Sequence, residues 1–164
     1  MTLPPPTVVR NYSAWAECLA QLQREARIAI DLEANSLYAY RERVCLIQIS
    51  IPGHDYIVDP EPRFDLSGLG ELIADPAVQI IFHAAEYDLI LLKRQYNWTL
   101  NNLFDTMWAT RILGIKRCGL ANLLESYFGV IQNKKHQKAN WCRRPLTQAL
   151  LAYAQMDTHF LIPL

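Results

Sequence analysis

No stretch of this chain approaches the roughly 20 consecutive apolar residues that a membrane-spanning helix needs, so the sequence predicts a protein with no membrane partner. The opening residues, MTLPPPTVVRNY, lack the apolar block of a signal peptide. Cysteine is sparse and scattered: Cys18, Cys45, Cys118 and Cys142 form no CxxC pair. Such spacing argues against a zinc site or a disulfide framework and predicts reduced thiols in a cytoplasmic protein. No internal repeat and no linker divides the 164 residues, which are expected to form one domain, residues 1–164, with a sizeable core.

Excess charge is also missing, since 16 Lys and Arg balance 16 Asp and Glu. Taken over the whole chain, that balance argues against nucleic acid as a partner. The charge is not evenly spread, however. Between Arg111 and Arg144 eight basic residues meet one acid, Glu125, whereas the first 110 residues hold eight basic and fourteen acidic ones. An acidic half beside a basic half suits a metal-dependent enzyme acting on a polyphosphate backbone. A solvated basic face would give the same pattern.

Apolar periodicity predicts a helix over 12–25 and a strand over 27–32. Strands over 44–50 and 55–58, joined through Pro52-Gly53, form a hairpin. A short helix over 66–74 precedes an apolar strand over 78–82 and a helix over 84–96. A short strand, 103–105, leads into a helix over 106–113, and a further helix covers 120–128. The segment 129–144 is polar and basic, and Pro145 and Thr147 open a last helix running to the chain end. An antiparallel start followed by strand–helix alternation gives an α/β sheet covered on both faces.

Carboxylates inside apolar runs are the anomaly of this sequence, because an ionised group there is costly unless compensated. Asp31 and Glu33 lie two apart in IAIDLEA, so they share one face of a strand. Asp88 lies early in the helix of AAEYDLILL, and Tyr153 and Asp157 lie four apart, on one face of the last helix. Each has an ordinary explanation alone: a surface DxE, an acid favoured at a helix N-terminus, a Tyr–Asp hydrogen bond. A shared divalent cation explains all of them together, and hard oxygen donors suit Mg²⁺ or Mn²⁺. Asp105 in FDT reads as a helix N-cap rather than a ligand.

DLE, HAAEYD and YAQMD, in this order, resemble the three exonuclease motifs of the DEDD superfamily. The tyrosine four before the last aspartate resembles the DEDDy branch. LIQIS, IVDP, FDTMWATRIL and KKHQKANWCRRPLTQALLAYAQMDTHFLIPL resemble the ribonuclease D family, from about Ile28 to the last residue. The resemblance implies a ribonuclease H-like fold with a five-stranded mixed sheet flanked by helices on both faces. It also implies 3′→5′ exonuclease activity with two divalent cations, Mg²⁺ or Mn²⁺. By motif, Asp31 would bridge both ions, Glu33 and Asp157 would complete one site, Asp88 would hold the other, and Tyr153 would position the attacking water. Ribonuclease D proteins usually continue into helical C-terminal domains that are not present here, and the abrupt end at LIPL leaves room for further sequence in the natural protein.

The expected partner is therefore a single-stranded nucleic acid 3′ end, with RNA, such as tRNA-like precursors, favoured over DNA. His83, at a strand–helix junction, and Lys134, Lys135, Lys138, Arg143 and Arg144 are candidate substrate contacts. Tyr38, Tyr40 or Trp141 could stack on a base, although Trp141 reads better as a core anchor of the basic segment. Gln48 faces either the sheet interior or the substrate. A DNA exonuclease of the same branch and an inactive nucleic-acid-binding module remain alternatives at this level, and the oligomeric state stays open.

Overall fold

A computed structural model of the chain describes residues 3–60, 65–132 and 134–164. Its elements run β1 (Thr7–Val9), α1 (Tyr12–Leu22), β2 (Arg27–Ala34), β3 (Val44–Ile51), β4 (His54–Val58), α2 (Ser67–Ala74), β5 (Gln79–Phe82), α3 (Glu86–Tyr96), β6 (Leu103–Asp105), α4 (Thr106–Ile112), α5 (Leu120–Phe128) and α6 (Gln148–His159). A short 3₁₀ turn, Lys134–His136, lies between α5 and α6. The α/β architecture expected from the sequence is present.

The strands form one mixed sheet of order β1-β4-β3-β2-β5-β6. β2 is antiparallel to β3 and parallel to β5, so the sheet changes sense across β2. There are six strands where five were expected. The additional one is β1, whose three residues pair in parallel with β4, Val8 opposite Ile57. The sequence predicts no element ahead of residue 12, but the short TVV segment pairs with the edge of β4.

Alternation along the strands fixes the two faces. Ile28, Ile30 and Leu32 of β2, with Ile47, Ile49 and Ile51 of β3, enter one core against Trp15, Cys18 and Leu22 of α1 and Leu91 and Leu92 of α3. Leu46 of β3 and Ile57 of β4 face the other side, against Leu151 and Ala154 of α6 and Trp141. Fully burying one such aliphatic side chain contributes about 1.5–3 kcal/mol, which is what fastens α6 to the sheet. At the hairpin turn Gly53 takes φ +82°, a conformation natural to glycine. Gly70 of α2 is needed for another reason: a Cβ there would lie 2.3 Å from the Trp98 indole nitrogen.

One expectation is overturned outright. Cys45 of β3 and Cys142, in the segment before α6, are joined by a disulfide with their Cα atoms 5.0 Å apart. Reduced thiols are found at Cys18 and Cys118. The pairing is a product of tertiary approach, since Cys45 and Trp141 share one apolar cluster and bring Cys142 alongside. No helix among the described residues is long and apolar enough to cross a membrane.

Candidate active site

β2 carries Asp31 and Glu33 on the face covered by α6, and the intervening Leu32 points into the opposite core. The register of β2 against β3 shifts between Glu33 and Ala34. Such an irregularity bends a strand and re-aims the side chains beside it, and here it falls where β2 leaves the sheet. β5 ends alongside, so the site lies at the carboxyl ends of two parallel strands, the usual place for a ligand crevice in an open α/β sheet.

α6 supplies the opposing wall. Its N-terminus is capped by Thr147, whose hydroxyl accepts from the Leu150 N–H at 3.3 Å. Tyr153 and Asp157 lie one turn apart on the face turned to β2. The C-terminal half of α6 is tied down by a polar cluster around Asp55 of β4. The Ser50 hydroxyl donates to Asp55 Oδ1 at 2.6 Å and lies 2.7 Å from the Thr158 hydroxyl. The Gln155 amide donates to Asp55 Oδ2 at 2.6 Å, and His159 Nδ1 lies 2.7 Å from the same oxygen. These bonds leave α6 little freedom to rotate, which fixes where Asp157 points.

Carboxylate oxygens of Asp31, Glu33 and Asp157 come within 4.8 Å of one another. Asp88, in the first turn of α3, is buried at 7% exposure and stands outside that set of three, close enough to act on Asp31 electrostatically. Its helix is preceded by Ala84 at φ +63°, a strained conformation for a residue with a Cβ. Asp105 holds that turn: its two carboxylate oxygens accept the N–H groups of Ala84 and Ala85 at 3.1 and 2.8 Å, and one also accepts Met107 N–H at 2.8 Å. The capping role expected of Asp105 is borne out and extended to a second element.

The electrostatics of this cluster follow from burial and from the crowding of like charges. Burial pushes the Asp31 carboxyl well above the usual range, and the nearby charges of Asp88, Asp157 and Glu33 push it further. Burial, then Asp157 and Asp88, lifts Glu33 to about 9. Asp88 and Asp157 rise to about 7, in both cases chiefly through burial. Like charges packed so closely disfavour one another's ionised form. A divalent cation among them reverses the sign of that interaction, and an all-oxygen donor set fits a hard ion. The Tyr153 hydroxyl is raised as well, by burial first and then by Asp157, Glu33 and Asp31, so it remains a proton donor at neutral pH.

The other sequence-predicted residues are distributed differently. His83 Nδ1 lies 2.9 Å from the Thr106 hydroxyl, which donates to Phe82 O at 3.1 Å. Burial lowers the His83 pKa and favours the neutral ring. Lys138 and Arg143 are exposed on the segment leading into α6. Tyr38 reaches that segment, its hydroxyl donating to Lys138 O at 2.7 Å. Arg144 instead grips Asp59 and also donates to Cys45 O at 3.0 Å. Lys134 contributes backbone to the 3₁₀ turn, and its side chain lies outside the described residues. Trp141 is 1% exposed and packs against Tyr153 with ring centres 5.9 Å apart, so it is the expected anchor.

Gln132 was not anticipated. Its amide donates to Asp157 Oδ1 at 2.5 Å, orienting a carboxylate of the cluster from the loop after α5. Nothing in the local sequence marks it, because its partner is a helix away in the chain. Two clefts open beside the cluster. One, of about 180 Å³, is lined by Glu33, Tyr38, Tyr87, Gln137 and Trp141. The other, of about 560 Å³, lies between Gln132, His136, Tyr153 and Met156.

Comparison with known proteins agrees with this geometry. The chain is 40% identical over 145 residues to the exosome complex exonuclease RRP6 of Saccharomyces cerevisiae, covering 88% of this chain and 20% of that protein. The catalytic core of RRP6 from Trypanosoma brucei superposes with a TM-score of 0.91 at 34% identity, over 96% of this chain and 44% of that one. RNase D of Escherichia coli, an exoribonuclease involved in structured RNA processing, superposes with a TM-score of 0.90 at 26% identity, over 98% and 43% of the two chains. The chain spans a quarter or less of the length of the curated relatives it matches. With a family model described as 3′-5′ exonuclease matching residues 6–164, and a carboxylate cluster assembled from β2 and α6, the chain belongs to the 3′-5′ exonuclease family.

Proposed function

We propose that this chain is a metal-dependent exoribonuclease domain of the DEDDy type that removes nucleotides one at a time from RNA 3′ ends. The observation that carries this reading is the convergence of Asp31, Glu33 and Asp157 within 4.8 Å beside Tyr153. Asp31, Glu33, Asp157 and Asp88 are the residues that would hold two divalent cations, Mg²⁺ or Mn²⁺. Bound there, such ions supply charge neutralisation at the scissile phosphate and acidify the attacking water.

The chain's own groups do the rest. Tyr153, protonated and wedged against Trp141, offers a hydroxyl that orients the attacking water for in-line displacement. Gln132 holds Asp157 in one orientation. The cleft beside Glu33, with Tyr38 and Tyr87 on its walls, suits the terminal nucleotide, since a base stacked on an aromatic ring contributes about 1–3 kcal/mol. Lys138 and Arg143, with Lys134, suit the phosphates that follow. The RNA preference draws support from the RRP6 and RNase D relatives, and the reading extends to trimming of structured or precursor RNA.

The test uses 5′-labelled single-stranded RNA and DNA of one sequence, incubated with Mg²⁺ or Mn²⁺, with EDTA and Asp31→Ala as controls. A metal-dependent ladder shortening from the 3′ end, faster on RNA, is expected. Faster DNA shortening would move the assignment to a DNA exonuclease, and binding without cleavage of either would move it to a binding module.

A further inference from the structure

β3 reads VCLIQISI and is buried along its whole length, and Gln48 stands in its middle with 0% exposure. Neither its amide nitrogen nor its amide oxygen has a hydrogen-bond partner among the described residues. A buried amide left unpaired is costly, and an apolar side chain of the same shape would avoid the penalty. Packing alone gives no reason for glutamine at this position.

The neighbours of Gln48 indicate what the amide is for. Across β2 it stands directly opposite Asp31, on the same face of the sheet. Directly opposed side chains have Cβ atoms about 4.5–5.5 Å apart, within reach of a glutamine amide. Across β4 its opposite number is Ile57, which offers nothing polar. On the same side of the sheet α6 contributes Ala154, which clusters with Leu46 and Ile57. The other polar groups nearby on this face, Ser50 and Asp55, are bonded to each other at 2.6 Å and to Thr158, Gln155 and His159. Asp31 is the carboxylate directly opposite Gln48 in the sheet, and a rotation of the Gln48 amide would serve it.

We propose that Gln48 is a positioning residue of the cation site, its amide donating to the Asp31 carboxylate and fixing the orientation in which Asp31 meets the ions. The inference rests on the metal reading above. It assigns Gln48 no contact with substrate; it acts through Asp31, as outer hydrogen-bond partners of metal-binding carboxylates commonly do.

The experiment measures Mn²⁺ binding by titration calorimetry and thermal unfolding in EDTA for the unaltered chain, Gln48→Leu and Gln48→Met. Removal of an unpaired amide should leave the unfolding temperature in EDTA unchanged or raised, while Mn²⁺ affinity falls about 10–100-fold. Mn²⁺ affinity within twofold of the unaltered chain, in a variant that unfolds cooperatively at an undiminished temperature, would overturn the inference. Gln48→Met keeps an unbranched side chain of similar length should the leucine variant misfold, and failure of both to fold would assign Gln48 to packing instead. Absence of Mn²⁺ binding by the unaltered chain would refute the metal reading itself, and this inference with it.

Discussion

Arg144 lays its Nε and Nη2 on the two carboxylate oxygens of Asp59, each at 2.6 Å. Its Nη1 also donates to Trp141 O at 2.6 Å, so one guanidinium ties the segment before α6 to the end of β4. Arg144→Ala should therefore act on stability, by about 2 kcal/mol, the scale of hydrogen bonds to charged groups. The shift in denaturant midpoint measures it. Arg143→Ala, at an exposed neighbour, should leave that midpoint in place, weaken RNA binding and reduce its salt slope by about 1. The opposite pattern for the two arginines would reverse their roles.

Asp31→Asn and Tyr153→Phe should separate holding the ions from using them. The first removes a carboxylate at the centre of the cluster, and both Mn²⁺ binding and exonuclease activity should be lost. The second keeps every carboxylate and the ring packed on Trp141. Turnover should fall about 10²–10⁴-fold, the range for a positioned proton-handling group, with Mn²⁺ affinity held. Calorimetry beside a single-turnover assay distinguishes them, and full activity in Asp31→Asn would sink the assignment.

The crowded carboxylates also predict a pH dependence. Asp88 and Asp157 are raised to about 7 and Glu33 to about 9 in the folded chain. The folded state then binds more protons than the unfolded one above about pH 4, and stability decreases with rising pH wherever that is so. The unfolding temperature in EDTA should fall between about pH 5 and pH 9, and added Mn²⁺ should flatten the fall by favouring the ionised carboxylates. A flat profile in EDTA would show that burial and crowding do not hold these carboxylates protonated as described.

Reduction of the Cys45–Cys142 disulfide should lower stability. The bridge joins residues 97 apart, and removing a crosslink of that span frees a large loop in the unfolded chain. Cys142→Ser is expected to cost about 2–4 kcal/mol. The segment carrying Lys138 and Arg143 should nonetheless stay docked through Trp141 and Arg144, so RNA affinity should change little. Unfolding midpoints with and without reductant, beside RNA titrations, test both statements.

Local patterns made most of this molecule legible in its sequence. Alternation in IAIDLEA put Asp31 and Glu33 on one face, and helical spacing put Tyr153 with Asp157. Asp105 announced itself as a cap because a cap is a relation between near neighbours. What stayed hidden depended on distant approach. Arg144 looked like one more cation in a basic run, because its partner Asp59 lies 85 residues earlier. Cys45 and Cys142 gave no sign of each other for the same reason. Gln132 meets Asp157 only once the loop after α5 folds onto α6. β1 was missed because three residues are too few for any periodicity.

The separation of β2 from α6 along the chain has a consequence for how the molecule comes into being. Its reactive centre exists only after nearly the whole sheet has formed and the last helix has settled onto it. Contacts between such remote segments form against a large loop-closure entropy and belong to the slow part of folding. A half-folded or locally unravelled chain therefore carries the acids but not their arrangement, and is inert. On the exonuclease reading proposed above, completion of the fold itself acts as the safety catch.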